Sequence, residues 1–460
     1  MEMALRRLVL GFLLAASARP ADLLVGRAAV KITPPAGIPM AGYYRVRLAE
    51  RVHDELYAKA LVLEKDGARA ALVACDLANI DRDLVLAARK LIEAGTGLDP
   101  GRVMISATHT HTGPLLNLRF LGAVEGAPLQ LARQYRAGLP ARIAEAVRAA
   151  AAAMAPARAW AATGREESIS FHRRFLMKDG AVRFNPGKLN PDIVQPMGPT
   201  DPDVPVVFFD TAEGSPLASY VNFAMHLDTV GGGEFSADYP YTLARLLGKI
   251  HGPQMLTLFT IGTAGNINHV DVKSRDPQKG HGEARRLGTI LAGEVIKTMA
   301  RLEALGASPL SARSEVVPLP VVSFSAFEVE KAKAVAAQFG KPGGPPFLDM
   351  VHAMKVLDVA GRGGGPLEAE VQVIALGDKL AWVGLPGEIF VELGIAIKKA
   401  SPFPLTVIAE LANGAISYVP TRKGFAEGAY EAVSARCAPG GGELLADTAI
   451  RLLADLHRRR

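Results

Sequence analysis

Cysteine is nearly absent from this sequence: Cys75 and Cys437 are the only two in 460 residues. They cannot build a disulfide framework, so the fold rests on its core, with one bridge at most. Aromatic residues are also few, at 6%. Beyond the N-terminal segment no window holds about 18 uninterrupted apolar residues, so no later transmembrane helix is expected. Neither charge dominates: Lys+Arg minus Asp+Glu is 52 − 46 = +6, spread along the chain except for the closing "LHRRR". No basic stripe or recognisable module points to nucleic acid. The mild basicity would suit peripheral contact with an anionic membrane surface, and nothing marks a defined protein partner. The Gly-rich patches at 231–233, 342–345 and 362–365 lack a P-loop lysine. They read as loops, the last two as linkers or lid edges.

What is present begins with "MEMALRRLVLGFLLAASARPADLL", in which two arginines precede an apolar run from Leu8 to Ala16 and then small residues. This is the order of a secretory signal over 1–21, with cleavage after Ala18 or Ala21. A secreted or periplasmic protein is expected; an uncleaved anchor or a plain N-terminal helix is the alternative. Length alone suggests two or three domains. "LYAKALVLEKDGARAALVACD" reads as a hairpin around Lys-Asp-Gly, "DLVLAARKLIEAG" as a helix and "RVMISATH" as a strand. A long Ala-rich helix is expected over 129–154 and an amphipathic helix over 325–339. A second hairpin turns at Gly377-Asp378. Strands alternating with helices argue an α/β fold, and the hairpins make its sheet mixed.

"SATHTHTGP" places His109 and His111 two apart after an apolar run. If the strand continues through them, both imidazoles face one side, as a zinc site would need. Spacing alone fits equally well two histidines satisfied by hydrogen bonds in a polar loop. His226 ends the apolar run "YVNFAMH" beside a Gly-rich loop, and Glu388 follows another apolar run in "VGLPGEIF". Taken singly, His226 fits a satisfied loop histidine and Glu388 a helix N-terminal carboxylate. Tyr418, in "NGAISYVPT", reads by itself as an amphipathic strand residue.

Taken in order, these segments resemble the neutral, non-lysosomal ceramidases, in their N-terminal catalytic domain. "ATHTHTGP" is similar to that family's Thr-His-Thr-His-Ser-Gly-Pro segment. "FAMH", "LPGE" and "SYVPT" are similar to its remaining ligand segments, and "YEAVSA" at 430–435 to the run that follows. "FHRR" at 171–174 resembles a segment whose arginine lines the site, and "GPTDPDVPVVFFD" an Asp-Pro-x-Val strand. The similarity runs from about residue 25 to 436. The resemblance implies zinc bound by His109, His226, Glu388 and Tyr418. It makes His111 an acid/base or supporting residue and Arg173 a substrate contact. Asp228 and Asp238 would orient histidines or else be solvated loop acids.

Two departures matter. The family's Gly-Asp-Val-Ser-Pro-Asn segment carries a serine implicated in catalysis, whereas "GTAGNINHV" here puts Asn266 at the acid and Asn268 at the serine. Asparagine is no nucleophile, but it can donate a hydrogen bond to an oxyanion. The segment given after the last motif reads as one helix, so the family's C-terminal immunoglobulin-like domain is not expected here. The expected organisation is a signal over 1–21, a hydrolase domain over 22–440 and a C-terminal helix over 441–460. The expected activity is hydrolysis of the amide of an N-acyl lipid such as ceramide by zinc-activated water, with His111 handling protons. A zinc hydrolase of a small ester, lactone or acylated carbohydrate is the alternative. A metal-stabilised binding protein without chemistry is another.

Overall fold

The computed structural model describes residues 23–117, 124–306, 309–339 and 343–458. The signal expected over 1–21 lies outside them. The fold is a mixed α/β sandwich. Its large sheet uses β1 (Leu23–Lys31), β2 (Tyr57–Lys65), β3 (Ala68–Cys75), β4 (Val103–Ala107), β5 (Ala155–Arg165), β6 (Asp203–Thr211), β7 (Pro216–Phe223) and β8 (Leu256–Ile261). The spatial order is β8-β7-β6-β5-β1-β2-β3-β4, with Glu303–Ala304 added beside β5. The β8–β7 and β3–β4 pairs are parallel and the other neighbours antiparallel. A second sheet runs β9 (Leu310–Leu319), β10 (Leu367–Leu376), β11 (Leu380–Gly384), β12 (Leu405–Ala409).

Alternation along the strands sorts the core into layers. Leu61 and Leu63 of β2 pack with Ile374, Trp382 and Val407 of the second sheet, so the sheets meet face to face. Ala58, Ala60 and Val62 point the other way, towards α1 (Arg82–Thr96) and α2 (Gly126–Ala152). Helices α3 (Tyr239–His251) and α4 (His281–Met299) cover the β7–β8 end of the large sheet. A satellite hairpin follows, of α5 (Ala326–Ala336) and α6 (Phe347–Ala360). On the outer face of the second sheet lie α7 (Val391–Ala400) and α8 (Gly441–Arg458); Leu445, Leu452 and Leu453 of α8 share one core with Val371 and Val373 of β10. The segment read as a trailing helix thus packs into the sandwich.

Local chemistry explains the turns. The β2–β3 hairpin turns through Asp66 (φ 49°) and Gly67 (φ 78°), the left-handed pair that a two-residue hairpin prefers. Helix α1 stops at Gly97, left-handed at φ 69°, whose N–H caps Glu93 O. No helix among the described residues is long and apolar enough to cross a membrane.

The two cysteines form no bridge. Cys75 is buried between the large sheet and its helices, and Cys437 beneath the outer helices. Burial pushes both thiols up, Cys437 to about 12. Neither is expected to react with Ellman's reagent in the native protein, and both should react after denaturation. Fast native labelling of either would contradict this packing.

Candidate metal centre

The double-histidine segment is a loop, not a strand. β4 ends at Ala107, and His109 takes a left-handed backbone, φ 77°. The pleat therefore does not bring the two imidazoles together. A non-glycine residue held there costs on the order of 1–3 kcal/mol unless its surroundings impose it. They do. His109 N–H donates to Leu77 O (2.9 Å) and His111 N–H to Leu227 O (3.0 Å), tying the loop to the segment after β7. The Thr110 and Thr112 hydroxyls both donate to Ser236 O, at 2.6 and 2.9 Å. Arg47, which sequence patterning did not single out, donates to His111 O at 2.6 Å. Gly42 allows the close approach, since a β-carbon there would collide with His111.

His226 follows β7 and is fully buried. Glu388 follows β11 in the short strand Glu388–Ile389, which pairs in parallel with Tyr418–Val419 and sets Glu388 opposite Tyr418. Gly265 passes so close that a β-carbon there would strike the Glu388 carbonyl oxygen. Beneath them Glu410, fully buried, accepts from Ala264 N–H (3.1 Å) and Ile389 N–H (2.7 Å). It thereby holds the backbone beside both His226 and Glu388. Burial first, and the Glu388 charge second, hold its carboxyl well above the usual range. Its signal in the sequence was an acid at the end of the apolar run "TVIAE".

The ring nitrogens of His109, His111 and His226 that could bind a metal lie within 4.8 Å of one another. Glu388 Oε2 is 3.4 Å from His109 Nε2 and 3.2 Å from His226 Nε2. His109 Nδ1 donates to Ala78 O (2.7 Å) and His226 Nδ1 to Ala264 O (2.8 Å). Each of these bonds leaves an Nε2 lone pair aimed at the carboxylate. His226 Nε2 and Glu388 Oε2 are buried and have no hydrogen-bond partner. Facing lone pairs and a carboxylate repel unless a cation or proton joins them, so these residues fit a divalent metal. His111 differs: its Nε2 is 3.3 Å from His109 Nε2, but its Nδ1 has no partner. Distance does not set it apart from the proposed ligands; its unlocked tautomer does.

Charge is tightly coupled here. Burial would raise the Glu388 carboxyl, but His109 and His226 hold it well below its usual range. Burial lowers His226 to about 4 and His111 well below its ordinary value, favouring neutral imidazoles. Burial also acts to lower His109, but Glu388 outweighs it and raises the group. Tyr418 stacks on His226 at 6.5 Å between ring centres, and burial followed by Glu388 keeps its phenol well up.

No family model matches the chain, and no curated protein matches it. Solved structures do. A neutral ceramidase from Pseudomonas aeruginosa superposes with a TM-score of 0.75 at 21% identity, over 95% of this chain and 75% of that one. A ceramidase complexed with C2 superposes at 0.74 and 20% identity, over 95% of this chain and 76% of that one. The fold is the ceramidase fold.

Within that fold Arg173 and Asn268 are both buried. Arg173 is 2% exposed and lies behind Tyr418, with its guanidinium 5.3 Å from that ring, and it pairs with Glu431 at 2.9 Å. It also donates to Gly265 O (2.7 Å). Two of its donors are thus engaged inside the protein, beside the Tyr418 ring. Asn268 is fully buried in the strand pair Ile267–Asn268 with Phe171–His172. Its Nδ2 donates to Asn185 (3.1 Å) and its Oδ1 accepts from Val270 N–H (3.0 Å). Both ends of that amide are thus bonded within the protein. Asp238 caps α3 through Tyr239 N–H, and Asp228 accepts from His269 at 3.1 Å, so neither bonds a histidine of the cluster.

The cluster opens onto a cavity of about 840 Å³, lined by His109, His111, Glu388 and Tyr418. Glu388 keeps 14% of its side chain exposed, toward that space. The rings of Tyr418 and Tyr430, 5.2 Å apart, and then Tyr44, 6.4 Å from Tyr430, line the way from it.

Proposed function

We propose that this protein is a zinc-dependent hydrolase that cleaves the amide of an N-acyl lipid such as ceramide. One observation carries the reading: two imidazoles with fixed tautomers turn Nε2 toward one carboxylate beside a cavity, and His226 Nε2 and Glu388 Oε2 are buried there without a hydrogen-bond partner. The ligands are His109, His226 and Glu388, with Tyr418 beside Glu388 completing an N/O set that suits zinc. When bound, the ion supplies Lewis-acid chemistry that polarises a carbonyl and makes water acidic. His111, with Nδ1 unpartnered and its side chain on the cavity, takes and returns the proton needed by a leaving amine. Arg173 and Glu431 fix Tyr418 from behind. The likeness of fold to ceramidases supports the substrate class. The reading includes a single hydrolase unit over 22–440 and export directed by the N-terminal segment.

The test is release of sphingoid base from N-acylsphingosine by the zinc-loaded protein, beside a chelated control. Chelator-sensitive turnover is expected. Stoichiometric zinc with no turnover on the amide, or with turnover only on ester analogues, would overturn the amidase reading.

A further inference from the structure

One part of the cavity lining is built from paired charges. Arg82 pairs with Glu368 at 3.5 Å, and Arg136 with Asp81 at 3.2 Å. Arg436 and Arg362 share Asp358, at 3.1 and 3.4 Å. This wall is joined to the metal centre by short contacts. Ser417, next to Tyr418, reaches Ser434 at 3.4 Å, and Arg436 donates to the same Ser434 hydroxyl at 3.4 Å.

An alkyl chain laid over these pairs would strip their water and return no hydrogen bonds, which is costly for charged groups. An anion would meet a carboxylate beside every guanidinium named here. A hydroxyl both donates and accepts, so a run of hydroxyls can answer an N–H and a carboxylate oxygen side by side. Tyr430 and Tyr44 add ring faces against which the C–H side of such a group can lie.

We propose that the substrate carries a polyhydroxylated, sugar-like head group that lies along the Arg82 and Arg362 wall while its N-acyl amide sits at the histidine cluster. This rests on the amidase reading and narrows its substrate class away from N-acyl lipids with a small head. Ceramide would then be turned over slowly.

The experiment compares N-acylglucosamine, N-acylsphingosine and N-acylglycine, all with the same acyl chain, on the zinc-loaded protein. kcat/KM is expected to favour N-acylglucosamine over each of the others by at least about tenfold. Arg362→Met and Glu368→Gln change partly exposed side chains, at 34% and 65%. Each should lower the N-acylglucosamine to N-acylsphingosine ratio of kcat/KM by about fivefold or more, chiefly through KM. Preference for N-acylsphingosine, preference for the anionic N-acylglycine, or unchanged ratios in both variants would overturn the head-group proposal. If no amide is cleaved, the amidase reading fails by itself. Calorimetric binding of the same compounds then decides the head group: tightest binding of N-acylglucosamine supports it, and any other order overturns it.

Discussion

Alanine in place of His226 is expected to strip the metal from the protein, whereas alanine in place of His111 is expected to leave it bound. The two side chains belong to one cluster, so distance alone does not separate them. Their other ring nitrogens do. His226 and His109 each spend Nδ1–H on a backbone carbonyl, which fixes the ring and makes Nε2 a standing lone-pair donor. His111 has no such anchor. Supporting contacts around a metal are worth roughly 10–100-fold in affinity, and a ligand should be worth more. His226→Ala should therefore lose zinc on dialysis and lose activity with it. His111→Ala should keep stoichiometric zinc by elemental analysis while kcat falls by about 10²–10⁴, the usual loss of a general acid/base. If His111→Ala releases the metal as readily as His226→Ala, the three imidazoles form the ligand set and the proton carrier must be sought elsewhere.

The sequence pattern carried the sandwich further than it carried the site. Alternation in "LYAKALVLEK" sorts Ala60 and Val62 onto one face and Leu61 and Leu63 onto the other, which is how the layers form. That period does not continue through "ATHTH", where strand and polar loop fit the spacing equally, because residue type does not encode a left-handed histidine; the hydrogen bonds to Leu77 and Leu227 do. Helix α6 was missed between two glycine-rich patches, where its neighbour is α5 rather than either sheet. Segment order named Arg173 and Asn268 without placing their side chains. It could not tell which side of Tyr418 an arginine occupies, since that depends on Glu431, 258 residues away. The same holds for Asn268, whose amide is bonded to Asn185 across 83 residues.

That long-range pair supplies the largest expected effect on stability. Arg173 and Glu431 keep 2% and 0% of their side chains exposed. Nearby charge outweighs the burial that would lower the guanidinium, and Arg173 is held above its ordinary value, fully charged. Arg173→Met is close in length and apolar, so it removes the charge without opening a large hole. Glu431 is then left in the interior with Arg174, at 3.9 Å, as its remaining ion-pair partner among the described residues. Removing one partner of a buried ion pair costs about 3–5 kcal/mol, mostly because the other charge is stranded. Urea unfolding should show a lower midpoint at an unchanged slope, with the free energy of unfolding reduced by that amount. The double variant Arg173→Met/Glu431→Gln should recover part of the loss, since no unpaired charge remains. Its activity should stay low even so, because Tyr418 has lost the guanidinium packed over its ring. A single-variant loss below about 1 kcal/mol would mean that solvent screens this pair, as it does at a surface, and that the wall behind Tyr418 is not the dry support inferred for it.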